Sequence, residues 1–479
     1  MWLDTSRRLL TYFGTVVFVD PLTLQVRHGP VGSSPRNVAL RMEGADGQLF
    51  YAPEGIGGAP IALFKDGAAA TASGAHTALS GTGQALRIDF LPDGAVGLSS
   101  GKRYVAAEQD GRITLSRNER RDWETFLPLS ESAFELVEWL SVRSWVTQGK
   151  RQLITPEQVR VGAEFRLMLG ELSLDLRAYV RAGDALLAAP GFQDAPSISV
   201  LHQGWRAERL FLYKPLIYFG VFGDDAIFQC LEIALASLDR FAAWPGAVLI
   251  LTDRAPDSIA RLIPERFRPR LHIHLCNPGD VLGFTLARYA IGSIPFAHHH
   301  QPLLYSDADV VFDGDLTPLM TDILLADGAC FLPERPMFDY DFYGEPLFWA
   351  DDGFQPSYDR GLSSGAIGIP NLAKVADSFR LILQIADAYP DTVANRDLFC
   401  CYDQPFANYV FHKLGGFDAT VLPRHGSLHH SSYADVKDRK GFVHFCGGVG
   451  LSAPKLVRMA QYYDDLSRME SARMEAETV

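Results

Sequence analysis

With 479 residues, the chain exceeds one typical hydrophobic core, so its length predicts two or three domains. Hydrophobic residues make up 47% and charged residues 21%, the composition of an ordinary soluble globular protein. The net charge of −13 excludes the basic surface that nucleic-acid binding requires, so we expect no nucleic-acid partner. An anionic ligand would have to be held by local groups or by a metal.

The cysteine pattern and the hydropathy of the sequence favour a location in the reducing cytosol. None of the six cysteines forms a CxxC pair, which disfavours a zinc or disulfide framework and fits a reducing cytosol. The start, MWLDTSRRLL, lacks the apolar stretch of a signal peptide. The most apolar run, residues 210–222, is interrupted by Lys214 and Pro215 and is too short to span a bilayer. We expect a cytoplasmic protein without a transmembrane segment; peripheral attachment to the inner membrane face is the alternative.

Short alternating segments separated by turn residues predict an all-β domain over residues 1–130. Residues 97–129 contain a small-residue turn, an aromatic residue, a second turn and the closing Trp123-x-x-Phe126. This order resembles one repeat of a β-trefoil of the fascin or ricin-B type, and a fainter copy covers residues 37–63. The resemblance implies glycan binding; a domain that only packs or forms oligomers is the alternative.

The rest of the chain predicts an α/β domain. Residues 131–210 are interpreted as a connector, and residues 461–479 as a C-terminal helix. Within residues 211–460, strands alternate with helices, which predicts a doubly wound sheet with ligands at the carboxyl ends of its strands. Strands are predicted at residues 216–222, 247–253, 271–275 and 302–305, and the first two are expected to be buried.

Two carboxylates follow the last of these strands. Alternation places Asp307 and Asp309 on the same side, where like charges repel unless a cation lies between them. A hard divalent ion takes oxygen ligands and can bridge a diphosphate. An isolated Asp-x-Asp is more often a solvated turn, so the pair needs support from other motifs.

Five short motifs supply that support and occur in this order: Asp307-Ala308-Asp309, Gly314-Asp315-Leu316, Ser363-Ser364-Gly365-Ala366-Ile367-Gly368-Ile369, Asp403-Gln404-Pro405-Phe406-Ala407-Asn408 and His444-Phe445-Cys446-Gly447. Over residues 214–460 the series resembles the family 8 glycosyltransferases, the retaining GT-A group that includes glycogenin and bacterial lipopolysaccharide galactosyl- and glucosyltransferases. The resemblance implies a GT-A fold, a mixed sheet with helices on both faces. It also implies a UDP-sugar donor, Mn²⁺ or Mg²⁺, a carbohydrate or glycoconjugate acceptor, and retention of the anomeric configuration.

The resemblance also implies roles for single residues. Asp307, Asp309 and His444 would hold the metal, Asp224 would lie near the uracil and ribose, and Arg288 would contact the donor. The alternatives are a core histidine for His444, a helix N-cap for Asp224 and a surface charge for Arg288.

Two further motifs would line the reacting sugar. Ser363, Ser364 and Gly365 match a loop that touches the transferring sugar, although the family commonly has asparagine at the first position. Asp403 and Gln404 match the pair on the reacting face. Glutamine is a poor nucleophile, which suits a front-face mechanism; double displacement through Asp403 is the alternative.

One position departs from the family. The lysine expected six residues after the histidine is Gly450 here, and the nearest lysine is Lys455. Gly447 and its neighbouring glycines would present backbone amides to a phosphate, or Lys455 would reach the site. Elsewhere, we interpret the three histidines at 298–300 as a polar loop, and the aromatic, acidic segment 338–349 as a candidate acceptor surface.

These observations favour a retaining, metal-dependent glycosyltransferase. By analogy alone, its setting would be surface polysaccharide or lipopolysaccharide assembly. The main alternative is a non-catalytic carbohydrate-binding or scaffold protein that retains the fold, which the changes at Ser363 and Gly450 keep open. A nucleotidyltransferase is disfavoured, because Asp224 and Asp225 make the turn after the first strand acidic. The sequence is compatible with an oligomer.

Overall fold

The computed structural model describes residues 7–20, 22–23, 25–33, 35, 38–43, 46–51, 61–62, 64–65, 68–69, 86–180, 197–202, 206–338, 343–351, 354–392, 401–429, 434–446 and 454–477. The chain divides into two compact units, Met1–Leu212 and Tyr213–Val479. Among the helices in those ranges, none is both long and apolar enough to cross a membrane.

The first unit begins with antiparallel strands. They are β1 Arg7–Thr11, β2 Val16–Val19, β3 Val26–Gly29, β4 Val38–Glu43, β5 Asp46–Tyr51, β6 Ile61–Ala62, β7 Phe64–Lys65, β8 Ala68–Ala69, β9 Leu86–Phe90, β10 Val96–Ser100, β11 Arg103–Ala107, β12 Ile113–Arg117 and β13 Thr125–Ser130.

Six of these strands pair in a closed ring. Around the ring, β1 pairs with β4, β4 with β5, β5 with β9, β9 with β10, β10 with β13, and β13 with β1. The hairpins β2–β3, β7–β8 and β11–β12 lie outside it. Leu9, Leu40, Leu49, Val96 and Phe126 from the ring share one buried cluster. Closure pairs the edges of the six-stranded sheet.

The region interpreted as a connector contains regular structure. Its elements are α1 Glu131–Ser141, β14 Trp145–Thr147, β15 Leu153–Ile154, β16 Val159–Gly162, β17 Arg166–Leu169, β18 Leu172–Asp175, β19 Ser197–His202 and β20 Arg206–Leu212. Helix α1 begins after Ser130, whose hydroxyl accepts a hydrogen bond from the Ala133 amide at 3.1 Å. Phe134 and Leu140 of α1 share a core with Leu10 and Leu127 of the barrel strands. This region is therefore packed as part of the first unit.

The second unit contains the remaining elements. The strands are β21 Leu216–Val221, β22 Ala247–Thr252, β23 Leu271–Leu275, β24 Leu303–Ser306, β25 Val310–Phe312, β26 Ala329–Pro336, β27 Arg360–Ile369, β28 Phe417–Asp418, β29 Gly426–Leu428 and β30 Phe442–His444. The helices are α2 Asp225–Arg240, α3 Pro256–Ala260, α4 Val281–Leu286, α5 Thr317–Leu324, α6 Glu345–Trp349, α7 Ala376–Thr392, α8 Gln404–Leu414, α9 Val421–His425 and α10 Lys455–Glu477.

The main sheet of this unit has the order β23-β22-β21-β24-β27-β26-β28. Strands β21 to β24 are parallel to their neighbours within that group, whereas β27 is antiparallel to β24 and to β26. A second, three-stranded sheet has the order β25-β30-β29. The four predicted strands and the predicted mixed α/β class are confirmed; β21 and β22 are buried, as expected, whereas β23 is only half-buried.

Both faces of the main sheet are covered. Tyr218 of β21 shares a buried cluster with Phe379 of α7 and Phe411 of α8. The next residue, Phe219, points to the other face and contacts Phe312 edge-on at 6.4 Å. The Phe312 amide donates a hydrogen bond to the Ser237 hydroxyl of α2 at 2.9 Å. The pleat therefore directs alternate residues of one strand into two helical layers.

Two histidines of this unit are buried among aromatic rings. His412 of α8 contacts the rings of Phe348, Tyr358 and Phe417. His300 follows a short 3-10 helix, Pro295–His299, and contacts Phe296. Burial lowers the pKa of each imidazole to about 4.

We expect His412→Phe to reduce acid destabilisation. In the unfolded chain a histidine takes up its proton near pH 6.5, whereas folded His412 remains neutral down to about pH 4. Stability attributable to His412 is therefore complete above pH 6.5 and is lost as pH falls toward 4. Between pH 7 and pH 4.5, the Tm of the wild type should fall by about 3 °C more than that of the variant.

Calorimetry at both pH values gives the difference. The control is His299→Asn, which changes an exposed histidine and should follow the wild type. Equal falls in Tm for the wild type and His412→Phe would contradict the prediction.

Candidate metal and donor site

The turn between β24 and β25 carries the Asp-x-Asp motif. The Asp307 amide donates to the Gly365 carbonyl at 2.8 Å, and the Asp309 carbonyl accepts from the Phe445 amide at 2.9 Å. Backbone bonds to β27 and to the end of β30 therefore fix both residues. Asp309 is only 7% exposed, whereas Asp307 is half-buried.

His444 completes a three-residue cluster. It is the last residue of β30 and pairs with Val310 of β25, next to Asp309. Its Nε2 lies 3.1 Å from Asp309 Oδ1 and 3.8 Å from Asp307 Oδ2. One ligand atom from each of the three residues lies within 4.8 Å of the others. Although burial lowers it, the carboxylates of Asp309 and Asp307 raise the pKa of His444 overall.

The cluster fits a divalent cation. Asp309 Oδ1 is buried, and among the described residues its 3.1 Å contact with His444 Nε2 lacks the geometry of a hydrogen bond; Nδ1 of His444 makes no hydrogen bond either. A buried carboxylate oxygen without a donor costs free energy unless a cation compensates it. Two carboxylates and an imidazole are ligands that Mn²⁺ accepts readily and Mg²⁺ less so. The donor set therefore suits a divalent metal without identifying which one.

The His444 ring occupies the space that a side chain at position 365 would fill. A Cβ on Gly365 would lie 2.8 Å from both ring nitrogens and still closer to Cε1. The main chain of β27 thus packs directly against the imidazole. The structure supplies a steric reason for this glycine that the loop motif alone did not predict.

Lys455, the first residue of α10, reaches the cluster. Its Nζ lies 2.5 Å from Asp309 Oδ2, and its side chain is 37% exposed. Although burial raises it, Lys455 and His444 lower the pKa of Asp309 overall. The Tyr462 hydroxyl of α10 donates to buried Asp313 at 2.8 Å, which holds the helix beside β25.

Arg288 lies in the interior, so the surface-charge alternative is wrong. It is 5% exposed, within a 3-10 segment, Ala287–Ser293. Its Nη2 is 3.3 Å from Asp307 Oδ1 and its Nε is 3.5 Å from Asp403 Oδ2. Its Nη1 donates to the Ser364 carbonyl at 2.5 Å. One guanidinium thus connects three of the predicted site segments.

Asp403 and Gln404 differ in their surroundings. Asp403 is 2% exposed and accepts a hydrogen bond from the Tyr289 hydroxyl at 2.8 Å. Burial raises the pKa of Asp403 overall, although Arg288 opposes the rise. Gln404 begins α8 and is half-buried. Tyr402, with φ of 52°, occupies the left-handed region just before this pair.

The remaining predicted site residues lie in three settings. Ser363 and Ser364 are buried in β27, where Ser363 pairs with Leu332. Asp224 is at the N-cap position of α2, but its carboxylate is exposed and makes no capping hydrogen bond. Within the described ranges, the Asp224 side chain makes neither a hydrogen bond nor an ion pair. Gly447 lies outside the described residues.

Sequence reasoning missed several polar residues of the site. Tyr305 donates to Asp307 Oδ1 at 2.5 Å, and its ring lies 4.5 Å from the Arg288 guanidinium. Tyr289 holds Asp403, and Glu334 accepts from Gln404 Nε2 at 3.2 Å. Tyr305 and Tyr289 are polar residues inside apolar segments, which is the signal that could have revealed them; Glu334, between Pro333 and Arg335, carries no such signal. The histidines at 298–300 form no metal cluster with other described residues.

Comparison with known proteins gives likenesses of fold only. No protein-family model and no curated protein matches the chain. Among solved structures, the galactosyltransferase LgtC in complex with donor and acceptor sugar analogs is 19% identical, with a TM-score of 0.38, over 52% of this chain and 95% of that one. The apo-form glycosyltransferase GlyE of Streptococcus pneumoniae TIGR4 is 13% identical, with a TM-score of 0.35, over 55% and 64%.

The apo structure of the bifunctional glycosyltransferase WbbM is 12% identical, with a TM-score of 0.38, over 52% of this chain and 49% of that one. With TM-scores below 0.5, these likenesses carry no argument about activity.

We expect Gly365→Ala to weaken metal binding. The added methyl group would overlap the His444 ring and displace it from the two carboxylates. Loss of one ligand's geometry should lower the affinity for Mn²⁺ by about 10-fold to 100-fold. Calorimetric titration of the purified chain with Mn²⁺ measures the change.

Gly292→Ala is the matched control, because a Cβ there meets nothing within 4 Å. It should bind Mn²⁺ like the wild type. Unchanged affinity in Gly365→Ala would show that His444 does not act as a ligand.

Proposed function

We propose that the second unit is a metal-dependent, retaining glycosyltransferase of the GT-A type, similar to family 8, that transfers a sugar from a UDP-sugar to a hydroxyl of a carbohydrate or glycoconjugate. The observation that carries the proposal is the convergence of Asp307, Asp309 and His444 within 4.8 Å of one another around the buried Asp309 carboxylate. Lys455 and Arg288 lie in contact with the same carboxylates. Such a site is suited to a ligand with a diphosphate.

In this proposal the metal ion, Lys455 and Arg288 have different roles. Mn²⁺ or Mg²⁺, held by Asp307, Asp309 and His444, would neutralise charge on the donor diphosphate. Lys455 presents a second positive charge on a partly exposed side chain. Arg288 is too deeply buried to follow a leaving group, so it orients Asp307 and Asp403.

The two residues of the reacting face support a front-face transfer. Asp403 is held by Arg288 and Tyr289 and is 2% exposed, which leaves its carboxylate little access to an anomeric carbon. Gln404 is half-buried and a poor nucleophile. We therefore propose that the acceptor oxygen bonds to the anomeric carbon as the carbon–phosphate-oxygen bond breaks on the same face. The acceptor proton passes to the departing phosphate oxygen.

For the first unit we propose a β-trefoil that binds glycans. Support comes from the closed ring of six strands and from the hairpins β2–β3, β7–β8 and β11–β12 outside it. A trefoil has six barrel strands and three such hairpins. The proposed setting is surface polysaccharide or lipopolysaccharide assembly at the cytoplasmic face of a membrane.

Turnover of nucleotide sugars tests the enzyme proposal. We expect UDP release from one sugar of a panel of UDP- and GDP-sugars with Mn²⁺. In Asp309→Asn the amide keeps the size of the carboxylate but loses its charge, so release should fall by about 10³-fold. Asp377→Asn, an exposed change on α7, should behave like the wild type. No release and no metal-dependent nucleotide binding would leave the non-catalytic carbohydrate-binding alternative.

Lys455→Ala tests the role of the lysine. Loss of a positive charge beside the leaving diphosphate should lower kcat by about 10²-fold to 10³-fold, with a smaller change in the KM for the donor. Lys455→Arg should recover part of the loss, and exposed Lys437→Ala should show none. Steady-state kinetics of UDP release measures these values. An unchanged kcat in Lys455→Ala would assign phosphate binding to other groups.

A further inference from the structure

Glu334 of β26 has both carboxylate oxygens in hydrogen bonds. Oε1 accepts from Gln404 Nε2 at 3.2 Å, and Oε2 accepts from the Tyr343 hydroxyl at 3.0 Å. The Glu334 carbonyl accepts from Arg360 Nε at 2.7 Å, which fixes its main chain against β27. The residue is half-buried. Glu334 therefore joins the reacting-face glutamine to the segment that precedes α6.

Tyr343 is held firmly enough to orient Glu334. It is 1% exposed, and its ring packs on Gly361, where a Cβ would lie 2.6 Å from ring atom Cγ. The Arg335 amide donates to its hydroxyl oxygen at 3.3 Å, so the hydroxyl proton is left for Glu334. Burial and the nearby Glu334 raise the pKa of Tyr343, which keeps that proton in place.

The same segment packs on the start of α8. Gly344 has φ of 86°, and a Cβ there would lie 2.7 Å from the Pro405 carbonyl oxygen. Pro405 directly follows Gln404. The hydrogen-bonded series Tyr343, Glu334 and Gln404 is thus held at both ends by close packing against main-chain atoms.

An ionised carboxylate only accepts hydrogen bonds, which decides how the Gln404 amide is turned. With Nε2 donating to Glu334, Oε1 of the same amide points away from Glu334. Within the described part of the chain, that oxygen has no protein partner. An amide oxygen beside an anomeric carbon stabilises the positive charge that develops as the phosphate leaves, whereas an amide NH₂ group would oppose it.

We propose that Glu334 is a positioning residue that turns the Gln404 amide oxygen toward the transferring sugar, and that Tyr343 holds Glu334 in place. This inference rests on the proposed glycosyltransferase function. Glu334 itself does not attack, since both of its oxygens are occupied. Its effect on the reaction passes through Gln404.

A double-mutant cycle tests this dependence. We expect Glu334→Ala to lower kcat by about 10-fold to 100-fold with the donor KM changed less than about threefold. In the Gln404→Ala background the same change should have no further effect. Glu334→Gln keeps an acceptor for Gln404 and should retain most of kcat, and Tyr343→Phe should lower kcat by about 3-fold to 10-fold only when Gln404 is present. Glu265→Ala, which removes an exposed carboxylate, is the control.

Multiplicative losses in the double variant would overturn the proposal, even if the enzyme function stands. If the wild type releases no UDP from any donor, the proposed function fails. The wild type, Glu334→Ala, Gln404→Ala and the double variant are then compared by Tm. Because either substitution removes the one hydrogen bond, the Tm losses should then be non-additive by about 2 °C or more. Additive Tm losses would overturn the Glu334 inference independently of activity.

Discussion

The second unit depends on the neutralisation of one buried carboxylate, Asp309. An unpaired charge at that depth would cost several kcal/mol, so its partners have to be delivered by the fold. They come from distant parts of the chain: His444 through the pairing of β25 with β30, and Lys455 through the docking of α10. The small second sheet and the C-terminal helix are thus tied to the same residue. Asp313, the buried residue directly after β25, makes a second connection between these elements. Its carboxylate accepts hydrogen bonds from the Tyr462 hydroxyl of α10 and from the Gly441 amide just before β30.

The net charge of the groups around Asp309 favours a bound cation. Three carboxylates, Asp307, Asp309 and Asp403, face two permanent cations, Arg288 and Lys455. A metal ligated by His444 would require the neutral imidazole, and the protein groups would then carry one excess negative charge. A divalent ion would reverse that sign, and the reversed site would attract an anionic ligand such as the proposed donor. Because the net charge of the chain is −13, an anionic ligand would depend on such a local arrangement.

The sequence predicted what depends on short-range patterns. Strands β21, β22 and β24 follow from apolar runs, and β23 follows from the alternation of apolar residues with His272 and His274. The adjacency of Asp307 and Asp309 follows from alternation at a strand end. Arg288 could not be placed, because its helical spacing fits a surface or an interior equally well. Glu334 and Tyr343 could not be linked to Gln404, because the register of β26 with β27 shifts at Pro333. The steric role of Gly365 depends on how closely β27 approaches a strand almost 80 residues later.

Lys455 places a cation at the first residue of a helix, in contact with Asp309. A lysine in the first turn of a 23-residue helix opposes the helix dipole, which costs about 0.3–1 kcal/mol. The ion pair with Asp309 offsets that cost, and an anionic ligand would offset it further, because the helix end and the ammonium attract the same charge. Helix stability alone would favour another residue here. Lys455 is therefore explained by the carboxylate that it contacts and by the anion that the proposed function would place beside it.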